Sequence, residues 1–218
     1  MRIAIIGAGR IGGELGRRLA VNHEVVLGSR SADRGKELAK QIGAARGTTQ
    51  AEATKGADVT ILSVPWWGVK ETLAALDDLD GQILIDVTNP FVARGYSEMH
   101  ELPGSSAAQE IQASKPRATV VKAWNHVFSP VAAHGADFGG VQATVLICGD
   151  GEPAKATVTV LASELGYRAI DVGPLSEAAF LERLCGFLVR VWHDRGLGCH
   201  ALVLLPLTQD LSTSGGSA

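Results

Sequence analysis

The chain opens on consecutive apolar residues, Ile3-Ala4-Ile5-Ile6, a run that suits a strand covered on both faces of a parallel sheet. Gly13, Leu15, Leu19 and Ala20 then recur at spacings that a helix buries, and Glu24-Val25-Val26-Leu27 restores the strand pattern. A strand–helix–strand unit is predicted. Ser31 and Asp33 offer an N-cap and an acidic first turn for a helix that continues through 36–42. Residues 57–64 read as the third strand, followed by strands over 82–87, 119–123, 144–148 and 168–171. Helical patterns over 67–76, 106–114 and 153–165 lie between them, which is the alternation of a parallel α/β sheet.

The first turn carries candidate chemistry. Gly7, Gly9 and Gly12 form a G-x-G-x-x-G pattern between the first strand and its helix, with Ala8, Arg10 and Ile11 between the glycines. There the first glycine permits a tight turn, the second lets a pyrophosphate approach the backbone, and the third allows close helix–strand packing. The positive end of the helix would face the diphosphate, so no lysine cluster is needed. The fold predicted is a Rossmann-type, doubly wound, mostly parallel sheet over residues 1–174. Residues 175–211 are expected to be a short C-terminal helical extension, packed on that domain or on a partner subunit, and 212–218 a flexible tail.

The end of the second strand chooses between NAD and NADP. An NAD site normally places a carboxylate there to accept from the ribose hydroxyls, whereas this chain has Gly28-Ser29-Arg30. Ser29 can donate a hydrogen bond and Arg30 can present a guanidinium fork to a 2′-phosphate, so NADP is favoured. Arg34 lies four positions further and reads equally as a phosphate contact or, with Lys36, as a solvated helix face.

Ligands of such sheets gather beyond the carboxyl ends of the strands. Three of those ends, Ser63-Val64-Pro65-Trp66, Asp86-Val87-Thr88-Asn89-Pro90 and Lys122-Ala123-Trp124-Asn125-His126, are expected to surround the nicotinamide half of the cofactor. Ser63, Val64, Pro65 and Asn89 are the cofactor-side candidates. Trp66 offers aromatic surface to a second substrate, and Asn125 or His126 polar contacts at its rim; Trp67 is given no role.

Composition narrows the class. Apolar residues make up 46% and charged residues 20%, with 20 basic against 23 acidic side chains, which suits a soluble enzyme and requires no nucleic-acid partner. Cys148, Cys185 and Cys199 are scattered and odd in number, so a reducing cytoplasm is expected and the first two read as packed residues. The six histidines form no metal-ligand spacing with the cysteines and acids, and no metal is expected. No signal peptide or membrane-spanning run is read; Ala201-Leu202-Val203-Leu204-Leu205, interrupted by Pro206, suits core or a subunit interface.

The glycine turn, Gly28-Ser29-Arg30, Val64-Pro65-Trp66, Cys148-Gly149-Asp150 and Asp171-Val172-Gly173-Pro174-Leu175-Ser176 occur in an order that resembles the coenzyme F420-dependent NADP reductases, through nearly the whole chain. The resemblance implies that Gly9 to Ile11 form the pyrophosphate loop and that Ser29, Arg30 and Arg34 contact the 2′-phosphate. It also implies hydride exchange between nicotinamide C4 and deazaflavin C5, a reaction that needs placement rather than a nucleophile or metal. No catalytic acid or base is assigned. Where archaeal members place histidine after the fifth strand, this chain has Asn125 followed by His126. Val120-Val121-Lys122-Ala123-Trp124-Asn125 is similar to the cytosolic domain of the six-transmembrane ferric reductases, which use NADPH and a flavin. The expected cofactors are therefore NADP(H) with coenzyme F420 or a flavin as cosubstrate, in a homodimer without membrane association. The alternatives are an NADPH-dependent reductase of an imine, quinone or ferric chelate, and a non-catalytic NADP(H)-sensing protein.

Overall fold

In the computed structural model, which describes residues 1–92, 98–102 and 105–206, strand side chains alternate between two apolar layers. Ile3, Ile5, Val25, Leu27, Val59 and Ile61 enter one layer, and Ala4, Ile6, Val26 and Leu62 the other. Both faces need cover, and helices supply it.

The chain runs β1 (Arg2–Ile6), α1 (Arg10–Leu19), β2 (Glu24–Ser29), α2 (Ala32–Ile42), β3 (Arg46–Thr49), α3 (Gln50–Thr54), β4 (Val59–Leu62) and α4 (Val69–Ala75). It continues through β5 (Ile83–Asp86), α5 (Ala107–Ser114), β6 (Thr119–Lys122), α6 (Ser129–His134), β7 (Thr144–Gly149), α7 (Glu152–Glu164), β8 (Arg168–Asp171) and α8 (Ala178–Asp194). The strands form one sheet in the order β3-β2-β1-β4-β5-β6-β7-β8, parallel except where β7 meets β6. Helices α1, α2, α6 and α7 cover one face, and α3, α4, α5 and α8 the other. The order reverses between β1 and β4, which opens a crevice at their carboxyl ends.

Three expectations change in detail. The predicted third strand is the fourth, because Arg46-Gly47-Thr48-Thr49 pairs with β2 as an edge strand that no apolar pattern announces. Its warrant is tertiary: a Cβ on Gly47 would lie 2.0 Å from the Gly35 carbonyl oxygen of α2, so only two glycines let helix and strand meet. The helix expected over 67–76 begins instead with a 3-10 turn at Trp66–Gly68. The Ala201–Leu205 run adds no helix; Leu202 packs on the core while Thr144 N–H donates to its carbonyl at 2.7 Å. The proposed tail at 212–218 lies outside the described residues.

α8 is held to the sheet by buried charge. Lys122 Nζ, on β6, donates to Asp86 Oδ2 at 2.8 Å, Glu182 Oε1 at 2.8 Å and the Thr88 carbonyl at 2.7 Å. Glu182, on α8, also accepts from the N–H groups of Ala107 and Ala108 at the start of α5. Burial alone pulls the lysine's pKa down; the carboxylates of Asp86 and Glu182 outweigh it and hold the ammonium above its ordinary range. Lys122→Met removes the cation and leaves two buried carboxylates facing each other. It is expected to cost about 3–5 kcal/mol in urea unfolding, far more than an exposed ion-pair variant such as Lys55→Met.

Candidate functional site

The carboxyl ends of β1, β2 and β4 are drawn together by close backbone contact. Gly7 has φ +96°, and a Cβ there would lie 2.5 Å from the Ser63 carbonyl oxygen. At Gly12 a Cβ would lie 2.1 Å from the Gly7 carbonyl oxygen and 2.8 Å from Ser63 Cβ, so α1 can start here only on glycine. Gly9 differs. Its φ of −69° suits any residue and a Cβ would meet no protein atom within 4 Å, so neither backbone nor packing demands glycine. What its bareness leaves open is approach from outside, where α1 begins without a side-chain cap or an acid in its first turn. Ala8, Arg10 and Ile11 stand at this helix start, and N–H groups at such a start can receive an anion.

On the adjacent β2, Ser29 is half-buried and Arg30 exposed, and the Arg30 guanidinium has no protein partner among the described residues. Ser31 caps α2 by accepting from Arg34 N–H at 3.4 Å. Arg34 itself pairs with Glu37 at 2.6 Å, an exposed i,i+3 pair that stabilises little. No carboxylate stands at the end of β2.

The loop after β4 brings Ser63 and Val64 against the glycine turn and leaves Pro65 exposed, and half-buried Trp66 packs against the core with its neighbour Trp67 exposed. After β5, Asn89 is half-buried. A cavity of about 370 Å³ opens next to it, between Pro90, the 99–102 segment and the first turns of α8, with His100 and Arg183 in its walls. A larger cavity of about 610 Å³ lies at the amino ends of β4 and β5, remote from the glycine turn.

Asn125 and His126 depart from expectation. Both are buried and their polar atoms are occupied inside the protein: Asn125 Nδ2 donates to Asn89 Oδ1 and to the Leu181 carbonyl, each at 2.9 Å. His126 reaches Asn125 Oδ1, the Thr144 carbonyl and Leu146 N–H. Both side chains point into the protein, where these bonds hold them. Burial pushes the His126 imidazole down to about 4, so it is neutral at working pH. Burial likewise pushes the Cys148 and Cys185 thiols up to about 12, consistent with packed and unreactive residues. Sequence reading passed over Glu182 and gave no role to Asp86 or Lys122; the available signal was a single charge closing each of the apolar runs Ile83-Leu84-Ile85 and Val120-Val121.

Comparison with known proteins agrees with this geometry. The family model described as NADP oxidoreductase, coenzyme F420-dependent, matches residues 2–90. An F420-dependent NADP reductase of Methanocaldococcus jannaschii is 32% identical over 206 residues, spanning 87% of this chain and 91% of that protein. The metalloreductase STEAP3 of Rattus norvegicus is 33% identical over 193 residues, which are 88% of this chain but 38% of that protein. The crystal structure of a candidate F420-dependent NADP-reductase from Arthrobacter sp. FB24 superposes with a TM-score of 0.83 at 25% identity, covering 94% of this chain and 100% of that one.

The buried neutral histidine has a consequence for stability. Its unfolded value is near 6.5 and its folded value about 4, so the unfolded chain binds more protons between them. The contribution is fully present above pH 6.5 and is lost as pH falls toward 4. Wild-type protein is expected to lose about 2 kcal/mol more than His126→Asn between pH 7 and pH 5, read by urea unfolding at each pH.

Proposed function

Because the chain belongs to the family of F420-dependent NADP reductases, we propose that it is an NADP-dependent oxidoreductase exchanging hydride between NADP(H) and a deazaflavin, coenzyme F420. The observation that carries this reading is Arg30: an unpartnered guanidinium beside Ser29, at a strand end without a carboxylate, next to a glycine turn whose second glycine serves no packing need.

Each half of the crevice has its task. Gly7 to Gly12 and the start of α1 hold the pyrophosphate by backbone N–H groups, and Ser29, Arg30 and Arg34 hold the 2′-phosphate. Ser63, Val64, Pro65 and Asn89 line the nicotinamide end, and Trp66 gives the second ring an apolar wall. The cavity at Pro90, the residue after Asn89, gives the acceptor room, with a polar lining of both signs from His100, Arg183, Glu101 and Glu182. The nicotinamide supplies the hydride chemistry when bound; the protein holds donor and acceptor together and keeps water out, which accounts for a site without a nucleophile. In this reading residues 1–174 are the NADP-binding domain and 175–211 the C-terminal extension, whose described part, 175–206, packs on it; 207–211 lie outside the described residues.

The free thiols fit the cytoplasm, and no described helix is long and apolar enough to cross a membrane. We also propose a homodimer through α8, where Phe180 is 63% and Phe187 62% exposed. Two aromatic rings seven residues apart on a helix anchored by buried charge make a face that a second copy covers in a two-fold contact. Phe180→Glu/Phe187→Glu is expected to shift the mass measured by light scattering from twice the chain mass to one.

The function is tested by turnover of NADPH and NADH against coenzyme F420, FMN, FAD and ferric chelates. NADPH with F420 is expected to be the preferred pair. Arg30→Ala should weaken NADPH binding roughly ten- to hundredfold, the loss of a charge-assisted hydrogen bond, and leave NADH nearly unchanged. Equal losses for both cofactors overturn the 2′-phosphate assignment, and turnover with flavin or iron but not F420 overturns the acceptor. Tight NADPH binding with no turnover in any arm points to the sensing alternative.

A further inference from the structure

The polar groups behind the strand ends have one consistent set of proton positions. The Leu181 carbonyl can only accept, so the Asn125 atom 2.9 Å away is Nδ2 and its Oδ1 faces His126 Nδ1 at 3.3 Å. His126 Nδ1 therefore carries the proton of the neutral ring, and Nε2 is left to accept from Leu146 N–H at 3.4 Å. The Thr144 carbonyl, 3.3 Å from the same Nε2, cannot also be served by one proton. In the same way the Asn125 main-chain carbonyl, 2.7 Å from the Asn89 amide, accepts from Asn89 Nδ2, and Asn89 Oδ1 accepts from Asn125 Nδ2 at 2.9 Å.

This bonding uses both N–H groups of Asn125 and one of the two on Asn89. Asn125 is 5% exposed, whereas Asn89 is half-buried at the crevice. One N–H of Asn89 is the donor left over. The turn that brings Asn125 to Asn89 passes through Trp124 at φ +53°, a conformation that bulky residues rarely adopt and that costs about 1–3 kcal/mol unless its surroundings hold it. Here the residue is fully buried in the core.

We propose that Asn125 and His126 are positioning residues that lock the Asn89 carboxamide in one of its two flips, so that its remaining N–H is presented to the carboxamide oxygen of the nicotinamide. A terminal amide has a broad, nearly two-fold torsion. The wrong flip would set oxygen against oxygen and turn the ring that must donate hydride from one face. Since Asn125 also holds the Leu181 carbonyl, the lock joins β5, β6, β7 and α8, and the C-terminal helix is set against the nicotinamide end through it. The inference rests on the reading of Asn89 as an NADP contact.

The test titrates two ligands, NADPH and adenosine 2′,5′-bisphosphate, which has the 2′-phosphate and adenine but no nicotinamide. Asn89→Ala and Asn125→Ala are each expected to weaken NADPH about 5–20-fold, with the bisphosphate unchanged within about twofold, which also reports that the variants are folded. The double variant should be no weaker than Asn89→Ala alone. His126→Asn, whose amide N–H can take the place of Nδ1, should retain NADPH affinity, and His126→Leu should lose it as Asn125→Ala does. Equal losses for both ligands, a double variant matching the product of the two single losses, or NADPH affinity indifferent to Asn125→Ala each overturn the lock. Wild-type protein that binds neither ligand, or Asn89→Ala without effect on NADPH, overturns the cofactor reading beneath it and the lock with it.

Discussion

A lysine with no exposed side-chain surface and two carboxylates at 2.8 Å organise the half of the molecule that contains β5, β6 and α8. Such a group tolerates little displacement, because each charge left without its partner in a dry interior costs several kcal/mol. Lys122 therefore specifies geometry more than it adds stability. Asp86 comes from β5, Glu182 from α8, and the start of α5 donates two N–H groups to Glu182, so four elements share one arrangement. α8 then crosses the loops that follow β5 and β6, with Cys185 and Val189 packed on Phe91 and Phe128.

The crevice is consequently built in two styles. The end at the glycine turn is open: glycines, a helix start and the exposed side chains of Arg30 and Arg34. The end at β5 and β6 is made of side chains already bonded to one another, as in the paired amides of Asn89 and Asn125. In the proposed function the two ends have two tasks. Holding a charged tail needs attraction, which survives some looseness, whereas transferring hydride between two flat rings needs distance and orientation, which do not.

Much of the fold was legible along the chain because its signals are local. Parallel strands covered on both faces read as apolar runs, the glycine turn occupies six successive positions, and the choice of NADP rests on the next strand's last residues. A G-x-G-x-x-G spacing between a strand and a helix is itself a local pattern, so it can be read without knowing the rest of the fold. The edge strand β3 left no such trace: its four residues contain no large apolar side chain, and it exists because β2 offers it a ladder and α2 meets it through glycine.

The inward turn of Asn125 and His126 lay beyond local reading for a related reason. An amide after a parallel strand can face ligand or protein with equal ease; here the decision belongs to Asn89, 36 positions earlier, and to the Leu181 carbonyl, 56 positions later. Glu182 is likewise matched to Lys122 across 60 positions. The sequence by itself determined the alternation of elements, the glycine turn and a second strand that ends without a carboxylate, each encoded within a few neighbouring residues. The tertiary structure decided which polar side chains are bonded inside the protein and which stay exposed, because a buried donor or charge is satisfied only by whatever group the folded chain brings within about 3 Å.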